Sequence, residues 1–307
     1  MLVIVNPNSR SGRTGRKWGS LEGRVRSALG EADVVATRAP RDATALAATA
    51  AKRGVETIIS AGGDGTFSEV AAGVLDSGCA DRVKLGLLPL GSGGDLPRTL
   101  GIPRSLDAAL EVITGGAVRS IDAGRLEYVD RQGEHRSGWF VNEASIGLSA
   151  DVAIHVERMP KQLGGKVAFA LGAARTILGH RPSETCIRVD DKRVHEGGIC
   201  LVALSNGRYF GGGMKIAPAA EIDDGSLDVV VGPAFSRTRL LFDLLPRLYR
   251  GTHVSDPRIE IHRGQLIEAE PVGDAQPAAV EADGELLGTL PARFEIRPRA
   301  LRVIVPS

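Results

Sequence analysis

The sequence predicts an α/β fold in two parts: an N-terminal α/β domain built on a parallel sheet, and a C-terminal β-rich domain with antiparallel, sandwich-like pairing. Three observations predict it. Apolar β-branched runs alternate with helical stretches up to about Asp122, which is the rhythm of βαβ units. Two glycine-rich turns close apolar runs within that region, around Gly62 and Gly91. Beyond it short β-like runs dominate, with two helical interruptions.

Leu2–Val5 reads as the first strand. The segment after Thr14 reads as a helix, with Trp18, Leu21, Val25 and Leu29 at helical spacing. Val34–Thr37 is the second strand, and Ala43–Arg53 an alanine-rich helix stopped by Gly54. Val55–Ser60 is the third strand. Its glycine turn opens a helix over Ser68–Ala72, with Thr66 expected as the cap. Val83–Leu90 and a helix over Leu106–Thr114 complete the alternation. The boundary falls near residues 122–126. Residues 1–124 form the first domain and 125–307 the second, with the last strand free to return to the first. The second domain holds nine β-like runs between Arg125 and Val305, interrupted by helices over Val167–Leu178 and Arg237–Tyr249.

Bulk properties narrow the function classes. A formal net charge of +1 and 43% hydrophobic residues describe a globular chain without a nucleic-acid signature. Cys79, Cys186 and Cys200 are odd in number and widely spaced, so they read as packed thiols of a reducing compartment. The N-terminus lacks the form of a signal peptide, and no apolar run reaches the roughly 18–20 residues a spanning helix needs. A protein of this kind that works on membranes is expected to visit them from the cytoplasm.

The most informative stretch is Gly62-Gly63-Asp64-Gly65-Thr66. A strand that ends in clustered glycines and opens a helix presents free backbone N–H groups, which the helix dipole reinforces. That is a place for phosphate. Asp64 inside it makes sense if a cation accompanies the phosphate, because magnesium bridges carboxylates and phosphate oxygens. A tight turn with Asp64 as a local cap explains the same residues more plainly. After the first strand, Asn6 to Arg13 supplies amides, hydroxyls and two guanidiniums. From Arg10 to Arg53 there are ten basic residues against four acidic, which suits phosphate or an anionic membrane surface, or else a solvated helix face.

Common phosphate-handling signatures are missing. There is no GxxxxGK[ST] loop, no HRD and DFG set, and no GxGxxG after the first strand. GxSxG and HExxH are missing too. Two acidic turns remain. Asp223-Asp224-Gly225-Ser226 opens a strand and reads equally as a hard-cation site or a bare turn. Glu281-Ala282-Asp283-Gly284-Glu285 has the form of a hairpin turn.

Taken together these segments are more specific. Asn6-Pro-x-Ser-x-x-Gly12, Gly62-Gly-Asp-Gly-Thr66, Pro89-Leu-Gly-Ser-Gly-Gly-Asp95, Gly211-Gly-Gly213 with Pro218-x-Ala220, Asp224-Gly-x-Leu227 and Asp283-Gly-Glu285 follow one another along one chain. This resembles the diacylglycerol kinase catalytic-domain family, which includes bacterial lipid kinases and sphingosine kinases, and the resemblance runs from Met1 to about Val305. It implies a nucleotide-binding α/β domain and a β-rich lipid-substrate domain, with the active site between them. It also implies ATP and Mg2+ as cofactors. The nucleotide's phosphates would lie against Gly62, Gly63, Asp64, Gly65, Thr66, Phe67 and Ser68. Asn8, Ser9, Arg10, Ser11 and Gly12 match the first nucleotide-binding loop, and Thr37 a further nucleotide contact. Ser92 stands where the family usually has threonine. Gly93-Gly94-Asp95-Leu96 stands where the family has Ala-Asn-Asp-Phe, so the asparagine amide is lost while Asp95 is kept.

By the same resemblance, Asp122 matches an acidic position near the metal site. Asp224, with the main-chain carbonyls of Glu221 and Ser226, matches a structural magnesium site. Asp283 and Glu285 map to the catalytic base, and Asp64 to the catalytic turn. The implied reaction passes the γ-phosphoryl of ATP to a lipid hydroxyl such as that of diacylglycerol. Catalysis would come from positioning and charge neutralisation. The lipid substrate implies peripheral contact with the inner membrane face; a homodimer is left open. Arg237–Arg250 combines leucines with arginines in a pattern that suits an interfacial helix, or one packed on the second domain's sheet; Lys161–His180 is a second such stretch. The alternatives are an NAD kinase-like or other small-molecule kinase, and a non-catalytic lipid- or nucleotide-binding module.

Overall fold

β1 (Leu2–Val5), β2 (Asp33–Ala36), β3 (Thr57–Gly62) and β4 (Lys84–Pro89) lie side by side in a computed structural model that describes residues 1–150, 152, 172 and 175–307. β1 pairs in parallel with both β2 and β3, and β3 pairs in parallel with β4. The end of the long strand β14 (Glu285–Val305) adds a fifth parallel strand beside β4, through Arg302 and Val303. The strand order is therefore β2-β1-β3-β4-β14. Ile4, Ile58, Ile59 and Leu85 are all fully buried. Strands covered on both faces read as continuous apolar runs, each large side chain contributing about 1.5–3 kcal/mol on leaving water.

α1 (Ser9–Leu29) and α5 (Leu106–Gly115) share a core with β1 and β3, where Val25, Leu110 and Ile113 meet Val3, Val5 and Ile59. α2 (Asp42–Lys52) and α3 (Asp64–Asp76) pack against each other, and α4 (Asp95–Thr99) is a short turn of helix after β4. α1 is interrupted at its start: Arg10, Ser11 and Gly12 have φ of 51°, 57° and 77°, outside the helical region. The connection through α1 leads to β2 on one side of β1, whereas the connection through α2 leads to β3 on the other. In such sheets the crevice beyond the carboxyl ends of the two strands at this reversal is the ligand position. Here those ends are Val5, followed by Asn6–Gly12, and Gly62, followed by Gly63 and Asp64.

The chain divides into two compact units, Met1–Ala123 with Pro298–Ser307, and Gly124–Arg297. β5 (Ala117–Val129) and β14 each run from one unit into the other. In the second unit, β7 (Glu143–Gly147), β9 (Lys192–Ser205), β8 (Ser183–Val189), β12 (Leu266–Pro271), β14 and β13 (Ala279–Ala282) pair successively, all antiparallel. β13 then pairs back to β7, closing a ring of six strands. Alternate residues point into it. Ile146, Ile187, Val202, Ile267, Val280 and Phe294 are fully buried there in one apolar cluster. β10 (Leu227–Pro233) and β11 (Glu260–Gly264) extend the sheet beyond β9, and β6 (His135–Phe140) forms a hairpin with β5.

Arg237–Arg239 and Leu245–Arg250 are α-helical, joined by a wider π turn at Leu240–Leu244 that absorbs Pro246 without ending the helix. Leu240 and Leu244 pack into a cluster with Ile177, Cys200 and Phe235, while Phe242 is 80% exposed. This settles the packed reading of that segment for its leucines. The helix expected over Val167–Leu178, and the Lys161–His180 stretch, fall largely outside the described residues; residues 175–179 are helical. Among the described residues no helix is long and apolar enough to cross a membrane.

Candidate functional site

The glycine corner after β3 is built by close backbone approach. Gly63 is extended (φ −96°, ψ −176°) and caps α3, whose first residue is Asp64. A Cβ on Gly91 would lie 2.3 Å from the Cα of Gly63, and a Cβ on Gly62 would lie 2.5 Å from Thr66 Oγ1. Only glycine lets the turns after β3 and β4 touch in this way. The expectation that Thr66 caps α3 is corrected. Thr66 sits within the first helical turn, and its Oγ1 accepts a hydrogen bond from Asn6 Nδ2 at 3.0 Å. That bond ties the loop after β1 to the turn after β3, across the sheet's point of reversal.

Asp64 joins the second turn. Its Oδ2 accepts from the backbone N–H groups of Gly94 (2.7 Å) and Asp95 (3.1 Å), while its Oδ1 is buried without a hydrogen-bond partner. Gly62, Gly63, Gly91 and Gly94 line a recess with Asp64, and the side chains of Arg10 and Arg104 line it too. A buried, unsatisfied carboxylate oxygen costs free energy unless a donor or a cation comes to it. The residues present therefore fit a polyphosphate accompanied by a divalent cation: backbone and guanidinium donors for the phosphate, and Asp64 Oδ1 for the metal.

The other expected nucleotide residues do not line this recess. Asn8 N–H donates to Asn6 Oδ1 (2.9 Å), and Ser9 Oγ donates to Thr14 Oγ1 (2.5 Å), so these residues shape the first loop from within. Thr37 follows β2 and is buried, its N–H donating to Val5 O (2.8 Å). Ser92 is exposed, Phe67 is fully buried under α3, and Gly65 has open space around it. Asp95 is buried and pairs with Arg98 at 2.7 Å.

The acids matched to metal positions have protein partners. Asp122 is fully buried, and its Oδ1 accepts the N–H of Arg299 (2.6 Å), pinning the chain where β14 returns to the first unit. Asp224 Oδ1 accepts the N–H of Ser226 (3.0 Å), and its Oδ2 pairs with Arg263 Nη2. Arg263 Nε also lies 3.8 Å from Asp228 Oδ2, and Arg263 and Asp228 are direct cross-strand partners in β11 and β10. Burial pushes the Asp228 carboxyl above its ordinary range, with Arg263 opposing the shift. Glu221 is exposed. Among the described residues no group of three or more acids, histidines or cysteines is placed to hold a metal ion. A guanidinium thus pairs with the Asp224 carboxylate in this turn.

The second unit carries a different acidic centre at the ends of β7 and β13. Asp283, with φ 48°, turns its carboxylate onto three backbone N–H groups: Val141 (2.8 Å) to Oδ2, and Asn142 (2.9 Å) and Glu143 (3.1 Å) to Oδ1. Glu285 is exposed at the start of β14. Glu281 is buried. It accepts from Ser145 Oγ (2.7 Å) and Gly284 N–H (2.6 Å), and burial pushes its carboxyl above the ordinary range. Asn142 Oδ1 is buried there without a partner. Sequence reasoning named Glu281 only as part of a hairpin turn and passed over Asn142 and Ser145. The available signal for Glu281 and Asn142 was polar residues interrupting the apolar runs Ala279–Ala282 and Trp139–Ala144.

Comparison with known proteins agrees with this division. Residues 1–126 match the diacylglycerol kinase catalytic domain, and residues 142–305 match the YegS C-terminal NAD kinase beta sandwich-like domain. A diacylglycerol kinase of Mycobacterium tuberculosis is 30% identical over 86% of this chain and 82% of its own length. One from Bacillus subtilis is 29% identical over 99% and 96%. The crystal structure of a diacylglycerol kinase from Bacillus anthracis superposes with a TM-score of 0.75 at 25% identity, covering 99% of this chain and 96% of that one. With the glycine corner, the strand order and the closed strand ring all in place, the chain belongs to the diacylglycerol kinase catalytic-domain family.

Proposed function

We propose that the protein is an ATP-dependent lipid kinase, transferring the γ-phosphoryl group to a lipid hydroxyl such as that of diacylglycerol. The observation that carries this reading is the recess at Asp64, where a buried carboxylate oxygen without a partner lies in a lining of glycines with Arg10 and Arg104. Gly62 to Ser68 would cradle the phosphates, Asn6 to Gly12 would close over them from β1, and Asp64 would hold the magnesium. That ion would neutralise charge developing on the transferred phosphoryl group. Asp283 or Glu285 would take the proton of the attacking alcohol. The fixed turn at Asp283 and the buried Glu281–Ser145 contact hold that segment in one conformation. The substrate would be met at a membrane surface on the cytoplasmic side.

The family names of the relatives favour a lipid over NAD, although the C-terminal match carries NAD kinase in its description. γ-Labelled ATP incubated with a panel of lipid alcohols, beside NAD, tests the reading. Label in a lipid phosphate is expected. Label on NAD alone, or on neither, overturns it.

A further inference from the structure

We infer that Arg104 is a phosphate-binding residue of the Asp64 recess, and that Gly94 is required because it makes room for the Arg104 guanidinium. This rests on the nucleotide reading above and adds a residue to it. Gly94 has φ +72° and lies just before α4. A Cβ added there would stand 2.7 Å from Arg104 Nη2 and 3.2 Å from both Cζ and Nε. The guanidinium therefore lies over the glycine Cα, in the space any side chain at 94 would take. One of its N–H groups donates to Gly93 O. Arg104 is exposed, and this tether leaves most of its five donors unused.

Charge in the recess points to the ligand. Among the described residues, no ion pair joins Arg104 or Arg10 to a carboxylate, yet both line the recess that contains Asp64. Asp64 does not pair with either; its Oδ2 is taken by Gly94 and Asp95, and its buried Oδ1 is left over. Two unneutralised guanidiniums and one unsatisfied carboxylate oxygen are complementary to a ligand that carries anionic oxygens and a cation together. A metal-bound polyphosphate is that ligand, and arginine's planar fork suits its phosphate oxygens. Arg104 follows α4, whereas Arg10 lies in the segment after β1, so the two guanidiniums reach the recess from different parts of the chain.

The test is equilibrium binding of ATP with magnesium, and separately of adenosine, to the full chain and its variants. A charge-assisted contact predicts that Arg104→Ala weakens ATP binding about tenfold to hundredfold and leaves adenosine affinity unchanged. Gly94→Asn tolerates the left-handed backbone, so it displaces the guanidinium without unfolding the turn. It should cause the same loss, and adding Arg104→Ala to it should cost nothing more. Arg104→Ala binding ATP like the wild type, or losing adenosine equally, overturns the inference. So do additive losses in the double variant. A wild-type chain that binds no ATP overturns the nucleotide reading and this inference together, whereas wild-type binding with an indifferent Arg104 overturns the inference alone.

Discussion

Asp64 and Gly94, 30 residues apart, are joined by a 2.7 Å hydrogen bond from the glycine N–H to Oδ2. With the neighbouring bond from Asp95 N–H, this makes one carboxylate oxygen the clasp between the turn after β3 and the turn after β4. The other oxygen is left for something the protein does not supply. The two oxygens should separate by mutation. Asp64→Asn keeps an acceptor for the clasp and should melt close to the wild type. Asp64→Ala leaves two N–H groups unpaired and should lose about 1–3 kcal/mol in denaturant unfolding.

Glycines in the corner differ in what they do. Gly91→Ala places a Cβ 2.3 Å from the Gly63 Cα, so the turns must part. It should cost about 1–3 kcal/mol, as overpacking does, and weaken ATP binding along with stability. At Gly65 an added methyl would meet nothing within 4 Å. Gly65→Ala should melt at or above the wild-type temperature, while ATP affinity falls if phosphate approaches the backbone there. Melting curves and nucleotide titration on the two variants check both statements.

The acidic turn at Asp224 should not need a metal. Arg263 spans Asp224 and Asp228, and its side chain is half exposed, so removing it should cost only about 1 kcal/mol. Thermal unfolding of the wild type without nucleotide should be the same in magnesium and in chelator. Asp228 has its carboxyl raised by burial, so the fold holds its proton longer than the unfolded chain does. Stability contributed by that proton is lost as pH rises through the raised value, and the loss should be steeper in Arg263→Ala. A magnesium-dependent melting temperature in the nucleotide-free wild type would contradict this account.

Glu281 should show the same sign more clearly. Its carboxyl is raised chiefly by burial, with Ser145 and the Gly284 N–H pulling the other way. The folded state then binds more protons than the unfolded state above the ordinary carboxyl range. Stability must fall as pH rises across that window. Glu281→Gln removes the proton exchange while keeping an acceptor for Ser145. Unfolding measured between about pH 4 and 8 should show a flatter slope in the variant than in the wild type.

The two candidate bases differ in their structural roles. Asp283 accepts three backbone N–H bonds, so Asp283→Ala should destabilise the chain, whereas exposed Glu285→Ala should not. Turnover measured on folded protein then reports on the base. Wild-type rates in both variants would remove the pair from the mechanism.

What was legible in the sequence is local. Gly62–Gly65 declared a strand–helix corner because clustered glycines and a β-branched run leave few other structures open. The parallel pairing of β1 to β4 follows from the alternation of strands and helices. Contacts between distant segments were not legible. Thr66 looked like a cap, but its hydroxyl is taken by Asn6, 60 residues earlier. Nothing near Asp122 in the sequence showed that it accepts the backbone N–H of Arg299, 177 residues later. Nor did the turn at Asp224 show that β11 brings Arg263 beside it. Glu281 looked like part of an ordinary hairpin, and only the closing of the strand ring buries it.

The central claim is that Asp64 serves phosphoryl transfer from ATP to a lipid alcohol. Its most direct test is the rate at which γ-labelled ATP phosphorylates diacylglycerol in mixed micelles, for the wild type and for Asp64→Asn at matched folded concentration. The account predicts labelled lipid from the wild type and a fall of about hundredfold or more in the variant. Equal rates from the two proteins, or no labelled lipid from the wild type, would contradict it.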